Sequence, residues 1–399
     1  MADFEPLPRT EPTTVTGYRA PEDLPSQRVV VDMSDKIVTF LPAATPVLTV
    51  TGRIKAKRKT FNKKFEWLDK DIQPRKLTVS GAQTDVDTTI ELVAGDDSKL
   101  AARYILRNQR TGEIVLASAV GAGSFTAVRG IGGTGIAMND GDTLSIIGSS
   151  YPDNSLMGTM KSINEFPNFG YTQIFRRPFG FSGRDLVTEL FGGNDKMTET
   201  KWQAIEHKRD IEFSFIYGKR HLIPAAGGVK DTTFTQGLIN AVQTNVWNVG
   251  GVQLNKRTFD EMLEEGLRWG KGGRLQAGAA LKYLLAPSRW MTEINGFVDN
   301  QLEYRVMDSE IGFSAMEYKS PHGRVRLIPS PVLDENTPDT AILVDFNHLE
   351  YAYLRQRDTR LMDNREENDR DGEAYEFLSD CGLLVEFEQS HVVLKGLSV

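Results

Sequence analysis

Three stretches of the chain carry residue types whose spacing could do chemistry. "GIGGTG" (130–135) has the glycine spacing of a dinucleotide-binding turn. That turn works only between a strand and a helix, because the helix N-terminus holds the pyrophosphate. Here "IAMNDGDTLSIIG" follows, which reads as a turn and a strand, so a glycine turn in a β region is the plainer reading. "ENDRDG" (367–372) places Glu367, Asp369 and Asp371 ahead of Gly372 as a calcium loop would. The position for the closing glutamate holds Leu378, and the match fails. "RRPFGF" (176–181) sets Arg177, Phe179, Gly180 and Phe181 at the spacing of an RNA-stacking strand. Pro178 stands where that signature has glycine, and proline is poorly tolerated in the central strand the signature occupies. The RNA reading fails too.

The remaining chemistry is sparse. "GLRWGKGG" (266–273) lacks the spacing of a phosphate-binding loop, and "GFSG" (180–183) lacks that of a nucleophile elbow. His207, His221, His322, His348 and His391 are scattered, none at metal-ligand spacing from a carboxylate or cysteine. Cys381, the single cysteine, cannot form an internal disulfide and reads as a buried apolar thiol. No enzyme class emerges, and no metal or cofactor is called for.

These residues sit in a chain of 399, long enough for two or more domains. Hydrophobic residues make up 40% and charged residues 25%, as in an ordinary globular protein. A net charge of -7 gives no global attraction to nucleic acid or acidic membranes. "MADFEPLPRT" does not read as a signal peptide, and no apolar run approaches the roughly 18 residues of a membrane span. The expected setting is the cytosol, or an assembly built from it, with no membrane partner.

The elements that must position any site change character along the chain. Residues 1–28 carry five prolines and read as an extended arm. Fully stretched, residues 1–50 reach at most about 165 Å, farther than one domain needs. Residues 29–50 are apolar and should dock on a core, with a short helix before Pro42. Residues 53–76 hold ten basic and three acidic side chains. They read as a solvated β-hairpin, with nucleic acid or an acidic partner as alternatives, and Phe61, Phe65 and Trp67 suggest an amphipathic strand. Residues 77–148 are short β-rich runs broken by turn signals, as in a small barrel or sandwich.

Helical patterning starts after 183. "TETKWQAIEHKRDIEFSFIYGKR" (198–220) predicts a long helix, capped by Thr200, with Trp202, Ile205, Arg209, Phe213 and Ile216 on its inner stripe. Residues 233–247 predict a second helix. Residues 258–270 predict a third, opened by Thr258 and Glu261 and closed by Gly270. "LKYLLA" (281–286) reads as a buried strand before a helix starting near Pro287, and 313–329 as a strand pair turning at Pro321–Gly323. Four late runs, "TAILVDF", "LEYAYLR", "YEFLSDCGLLVEFEQ" and "HVVLKGL", complete the β content around a charged loop, 362–373.

"NFGYTQIFRRPFGFSG", "PAATPVLTVTGRIKAK" (42–57), "TAVRGIGGTGIAMNDGDTLSIIG" (126–148), the helix 198–220 and "AILVDFNHLEYAYLR" (341–355) together have an order. In that order they resemble the major capsid proteins of tailed bacteriophages with the Hong Kong 97 fold. The chain departs from the family pattern at Phe179 and Arg184, where smaller or polar residues are expected. The resemblance implies an α+β fold with an all-β insertion. It divides the chain into an N-terminal arm (1–52), an extended-loop limb (53–76), a β insertion domain (77–148), a peripheral domain with a long spine helix (149–224), an axial domain (225–332) and return strands of the peripheral domain (333–399). It also gives "RRPFGF" a role. Tyr171, Phe175, Phe179 and Phe181 would anchor the return from the extended loop, and Arg176 and Arg177 would each hold a neighbouring carboxylate or carbonyl.

The function this implies is a head-shell subunit that self-assembles as hexamers and pentamers around phage DNA, in a virion built in the host cytoplasm. Scaffold, portal and decoration proteins are further partners the resemblance admits, and contact with packaged DNA would be non-specific. Two other functions stay open: an encapsulin-like shell around protein cargo, and a nucleic-acid-binding protein using 53–76. Charge adds a contact. Residues 334–376 hold thirteen acidic and five basic side chains. In the resembled family the extended loop lies across an adjacent subunit, so Lys57, Arg58, Lys63 and Lys64 are expected to meet Asp363, Glu366 and Glu367 of a neighbour.

Overall fold

The computed structural model describes residues 45–397, apart from 56, 71–73, 159, 189–194, 252–253, 269–280, 298–301, 304–315 and 321. Four long-range β structures and one long helix organise it. A five-stranded sheet runs Arg58–Thr60, Leu349–Leu354, Gly372–Val385, Gln173–Ser182, with Arg360–Met362 also paired to Gly372–Val385. Gln173–Ser182 and Gly372–Val385 form ten consecutive antiparallel pairs, from Gln173↔Cys381 to Ser182↔Gly372. The helix Asp195–Tyr217 covers one face of this sheet.

A seven-stranded mixed sheet runs Val246–Asn248, Val392–Lys395, Ala341–Val344, Leu281–Ala286, Gly323–Pro329, Met316–Ser320, Leu302–Glu303. Its centre is the run "LKYLLA", parallel to Gly323–Pro329 and buried from Lys282 to Ala286. A continuous apolar run is what a strand covered on both faces requires. The helix Lys256–Arg268 packs close against this sheet at Gly266. A Cβ there would lie 2.5 Å from Leu343 and 2.6 Å from Val392. One hydrophobic core joins the long helix to both sheets, through Ile211, Phe215, Tyr351, Leu383, Leu285 and Ile342.

Residues 76–149 form a six-stranded sheet, ordered Lys76–Thr78, Thr143–Ser149, Tyr104–Asn108, Ile114–Gly121, Ser124–Val128, Thr89–Glu91. It has its own core, built on Leu77, Ile90, Leu106, Val115, Phe125 and Leu144. It is strung between the strands Lys64–Asp69 and Phe166–Tyr171, which pair with each other as a two-stranded ribbon.

This ribbon corrects the hairpin expected over 53–76. Lys64–Asp69 does not fold back on Arg58–Thr60. It pairs about a hundred residues on, while Arg58–Thr60 runs parallel to Leu349–Leu354 in another sheet. A hairpin would have left the buried Phe65 without Ala352 and Leu384, the side chains it packs on. A helix, Pro46–Ile54, precedes these strands, and the helix expected before Pro42 lies outside the described residues.

The helical region needs further corrections. The span 233–247 is not one helix: Thr232–Phe234 and Val246–Asn248 are strands flanking a single turn, Leu238–Ala241. Both strands satisfy their backbone on partners distant in sequence, which local spacing cannot show. Thr200 lies inside the long helix, its hydroxyl donating to the Lys196 carbonyl at 2.7 Å, and so does not cap it. The third helix starts at Lys256 and is capped by Asn255, whose side chain accepts from the Thr258 amide at 2.9 Å. Along the long helix the buried positions are His207, Ile211, Glu212, Phe215 and Ile216. Of the expected stripe only Ile216 is fully buried. Two polar residues in the true stripe, His207 and Glu212, had turned the apolar pattern aside.

Candidate assembly surfaces

Gln173–Ser182 is an edge strand, which is where a proline such as Pro178 can sit without breaking a ladder. Strand alternation then divides the quoted stretch between two faces. Phe175 and Phe181 are buried toward the long helix, with half-buried Phe179 between them. The Phe179 ring stacks 5.6 Å from Tyr375 and 5.8 Å from Phe377. Arg177 points the same way, donating to Gln203 at 2.9 Å and to Asp210 at 3.2 Å. Arg176 lies on the opposite face and grips Glu376 with two nitrogens, one at 2.9 Å. That guanidinium holds the Glu376 carboxyl below its ordinary range. Tyr171 ends the ribbon, its ring edge-on to Phe169 at 5.6 Å.

The basic limb finds acids within its own chain. Lys55 reaches Glu386 at 3.2 Å, Lys57 reaches Asp358 at 2.7 Å and Arg58 lies 3.8 Å from Glu350. The parallel pairing of Arg58–Thr60 with Leu349–Leu354 brings these charges together. Lys63 pairs with Asp231, while Lys64 pairs with Glu66 at 2.5 Å and lies over the Phe169 ring. On the acidic side, Glu366 accepts from the Ala374 amide at 3.0 Å, which helps hold its carboxyl below the ordinary range. Asp363 and Glu367 are exposed, and among the described residues their carboxylates have no partner. None of the paired cations named here meets Asp363, Glu366 or Glu367 within the subunit.

The glycine turn proves to cradle an anion after all, one of its own chain. The Glu113 carboxylate accepts from the Gly130 amide at 3.2 Å and the Ile136 amide at 3.3 Å. Arg129 clamps it with two further bonds, at 3.1 and 2.8 Å. Both side chains are buried, and Gly130, with a φ of 66°, allows the loop to close around them. No sequence spacing links Glu113 to 130–136, so this pair was invisible before folding.

The histidines and the thiol are structural. His207 bonds Ser379 at 2.7 Å, and His391 accepts from the Asp345 amide at 3.3 Å. Burial holds both imidazoles neutral, pushing His391 down to about 3. Burial likewise pushes the Cys381 thiol up to about 12. Among the described residues no three His, Cys, Asp or Glu side chains gather to hold a metal, and no helix is long and apolar enough to cross a membrane.

Exposed apolar side chains are concentrated on the ribbon and the segment leading back to it. Leu68 is 67% exposed, Leu156 92% and Met160 79%. Apolar surface of this kind marks contact with other protein. A chain with self-paired charges, structural histidines and bare apolar side chains on a projecting ribbon has the makings of a structural subunit.

Comparison with known proteins agrees. The profile of the SU10 major capsid protein family matches residues 11–398, and the chain belongs to that family. It is a structural, shell-forming bacteriophage capsid protein, and its place is the virion. The major capsid protein of Pseudomonas phage PaMx41 is 23% identical over 291 residues, covering 70% of this chain and 68% of that one. Two solved structures are alike over most of their length. The capsid of an empty GTA particle aligns with a TM-score of 0.49 at 11% identity, over 95% of this chain and 98% of that one. The Cyanophage A-1(L) capsid aligns with a TM-score of 0.48 at 11% identity, over 94% and 99%.

Proposed function

We propose that this capsid protein closes into an icosahedral head of hexamers and pentamers around DNA, without catalysis, by laying its ribbon across the neighbouring copy. The observation that carries this is the ribbon itself. Two paired strands alone are marginally stable in water. This pair and the segment returning to it leave Leu68, Leu156, Met157 and Met160 bare. A neighbour's sheet would cover them, and permanent interfaces bury roughly 2,000–5,000 Å².

On this reading residues 1–52 are the arm, the ribbon is the extended loop, and 76–149 is the inserted domain. The long helix and five-stranded sheet are the peripheral domain, and the seven-stranded sheet with its helices is the axial domain. Lys63 and Lys64 then meet Asp363, Glu366 and Glu367 of the neighbour. Lys57 and Arg58, already paired internally, contribute less. Assembly in the host cytoplasm, with scaffold, portal and decoration proteins as further partners and non-specific contact with DNA, belongs to the same proposal.

Electron microscopy of the protein expressed alone tests it. Closed shells or capsomers built with the ribbon on a neighbour are expected. Monomers at high concentration, or particles joined through other surfaces, would overturn it. Shells filled with protein cargo would move the reading to an encapsulin-type container.

A further inference from the structure

The helix Pro46–Ile54 is where the chain, after residues 1–44, enters the subunit core, through Val47 and Val50. Its N-terminus needs acceptors for its first amides. Pro46 has no N–H, and Thr45 makes no side-chain cap. The acceptor comes from the middle of the long helix: Glu212 takes the Val47 amide on one oxygen and the Leu48 amide on the other, each at 2.8 Å. Glu212 is 0% exposed.

A buried carboxylate normally has a cation beside it. Glu212 has none among the described residues. On its own helix, Arg209 is engaged by Glu206 and Glu335, Asp210 meets Arg177, and the Tyr217 hydroxyl goes to Thr337. On the strand Leu349–Leu354, Glu350 faces Lys55 and Arg58, and the Tyr351 hydroxyl donates to Asp358. In the adjoining turn His348 faces Glu386, and across the core Tyr283 accepts from Arg326. Lys55, just past the helix, is held by Glu386 and Glu350. The walls are otherwise Val47, Val50, Ile211, Phe215 and Phe346.

We propose that Glu212 is a proton-operated latch: uncharged, it seats the helix Pro46–Ile54 firmly on the long helix, and charged, it loosens that seat. Two effects compete. Burial penalises the charge, while the two amides favour it; burial wins and raises the pKa from 4.5 to about 7. A group whose pKa rises on docking stabilises the docked state fully below its free pKa, and that contribution is lost as pH rises through the docked value. Helix docking is therefore tight near pH 5 and loosest above about pH 7. The anchorage of residues 1–44 and the approach to Arg58–Thr60 both pivot on this helix, so one proton sets the freedom of both.

Hydrogen exchange on the full-length chain, corrected for the intrinsic pH dependence of exchange, tests the latch. Protection of the amides of 47–54 should fall about tenfold or more between pH 5.5 and 8. Protection of the strand Leu281–Ala286, measured in the same samples, should not follow it. In Glu212→Gln the slope should vanish, because the amide side chain carries no proton to lose. Wild-type protection of 47–54 that is flat across this range, or falls in step with Leu281–Ala286, overturns the proposal even if the variant fails to fold. A slope that survives in Glu212→Gln overturns it as well.

Discussion

Glu376 is buried on the central strand of the five-stranded sheet, and its carboxylate is gripped by Arg176, 200 residues away and largely exposed on the edge strand. Arg365 stands 3.7 Å away on the other side. The accessible member of the pair is the cation; the acid is hidden beneath it. Removing the cation strands a buried charge, whereas removing both leaves none. Arg176→Ala should therefore destabilise the subunit by about 1–3 kcal/mol, and Arg176→Ala with Glu376→Leu by less. Thermal denaturation of the two variants decides; a double variant worse than the single would contradict this account.

A sharper loss is expected in the six-stranded sheet. Glu113→Ala leaves Arg129 buried without its partner, which costs about 3–5 kcal/mol. Because 76–149 has a separate core, the damage should stay local. Exchange protection should drop in Ser124–Val128 and not in Leu281–Ala286. Unchanged protection in the former would mean that the clamp contributes nothing.

The same separate core predicts the outcome of a deletion. Replacing 79–147 by a short linker should leave the long helix and both larger sheets folded. The helical circular-dichroism signal should persist in soluble protein, and its disappearance would show that the sheet is needed to fold the rest.

Charge reversal examines the contact between copies. Lys63→Glu with Lys64→Glu should reduce particle yield at low salt, and Glu366→Lys with Glu367→Lys in the same chain should partly restore it. Each exposed pair contributes only about 0–1 kcal/mol, but the contact repeats around every capsomer. The first variant also breaks the internal pairing of Lys63 with Asp231. Recovery by the second variant is thus the decisive reading, and its absence speaks against the pairing across copies.

His391 gives a pH dependence opposite in sign to that of Glu212. Burial, with the Lys282 charge adding to it, lowers its pKa from 6.5 to about 3. The unfolded chain then takes up a proton that the folded chain refuses, so stability falls as pH drops below 6.5. Between pH 7.5 and 5 the loss is about 2 kcal/mol. A urea midpoint that fails to shift downward, or shifts equally in His391→Gln, would exclude His391 as the cause.

What the sequence made legible was whatever local spacing controls. "LKYLLA" became the strand Leu281–Ala286 with no change of bounds, because an apolar run covered on both faces has few other solutions. The strands within 77–148 were readable from turn residues between short β runs. The ribbon was not: Lys64–Asp69 and Phe166–Tyr171 find each other across a hundred residues, and only Phe65 hinted at burial. Glu212 was hidden for a related reason. A glutamate on a helix reads as solvated until another segment presents it with amides. Of the residues singled out, Phe175, Arg176, Arg177, Phe179 and Phe181 lie together on one strand, whereas Lys63 and Lys64 stand apart from Asp363, Glu366 and Glu367 within the subunit.

Where the six-stranded sheet leaves the ribbon, its two chain ends run side by side: Lys76 faces Ser145, and the Ile146 amide donates to the Arg75 carbonyl at 2.8 Å. A module whose ends meet is exchangeable. Any compact domain with neighbouring termini could replace it at this junction without altering the register of Lys64–Asp69 on Phe166–Tyr171. The head surface could thus be refitted with foreign domains, at one copy per subunit, while the lattice beneath keeps its geometry.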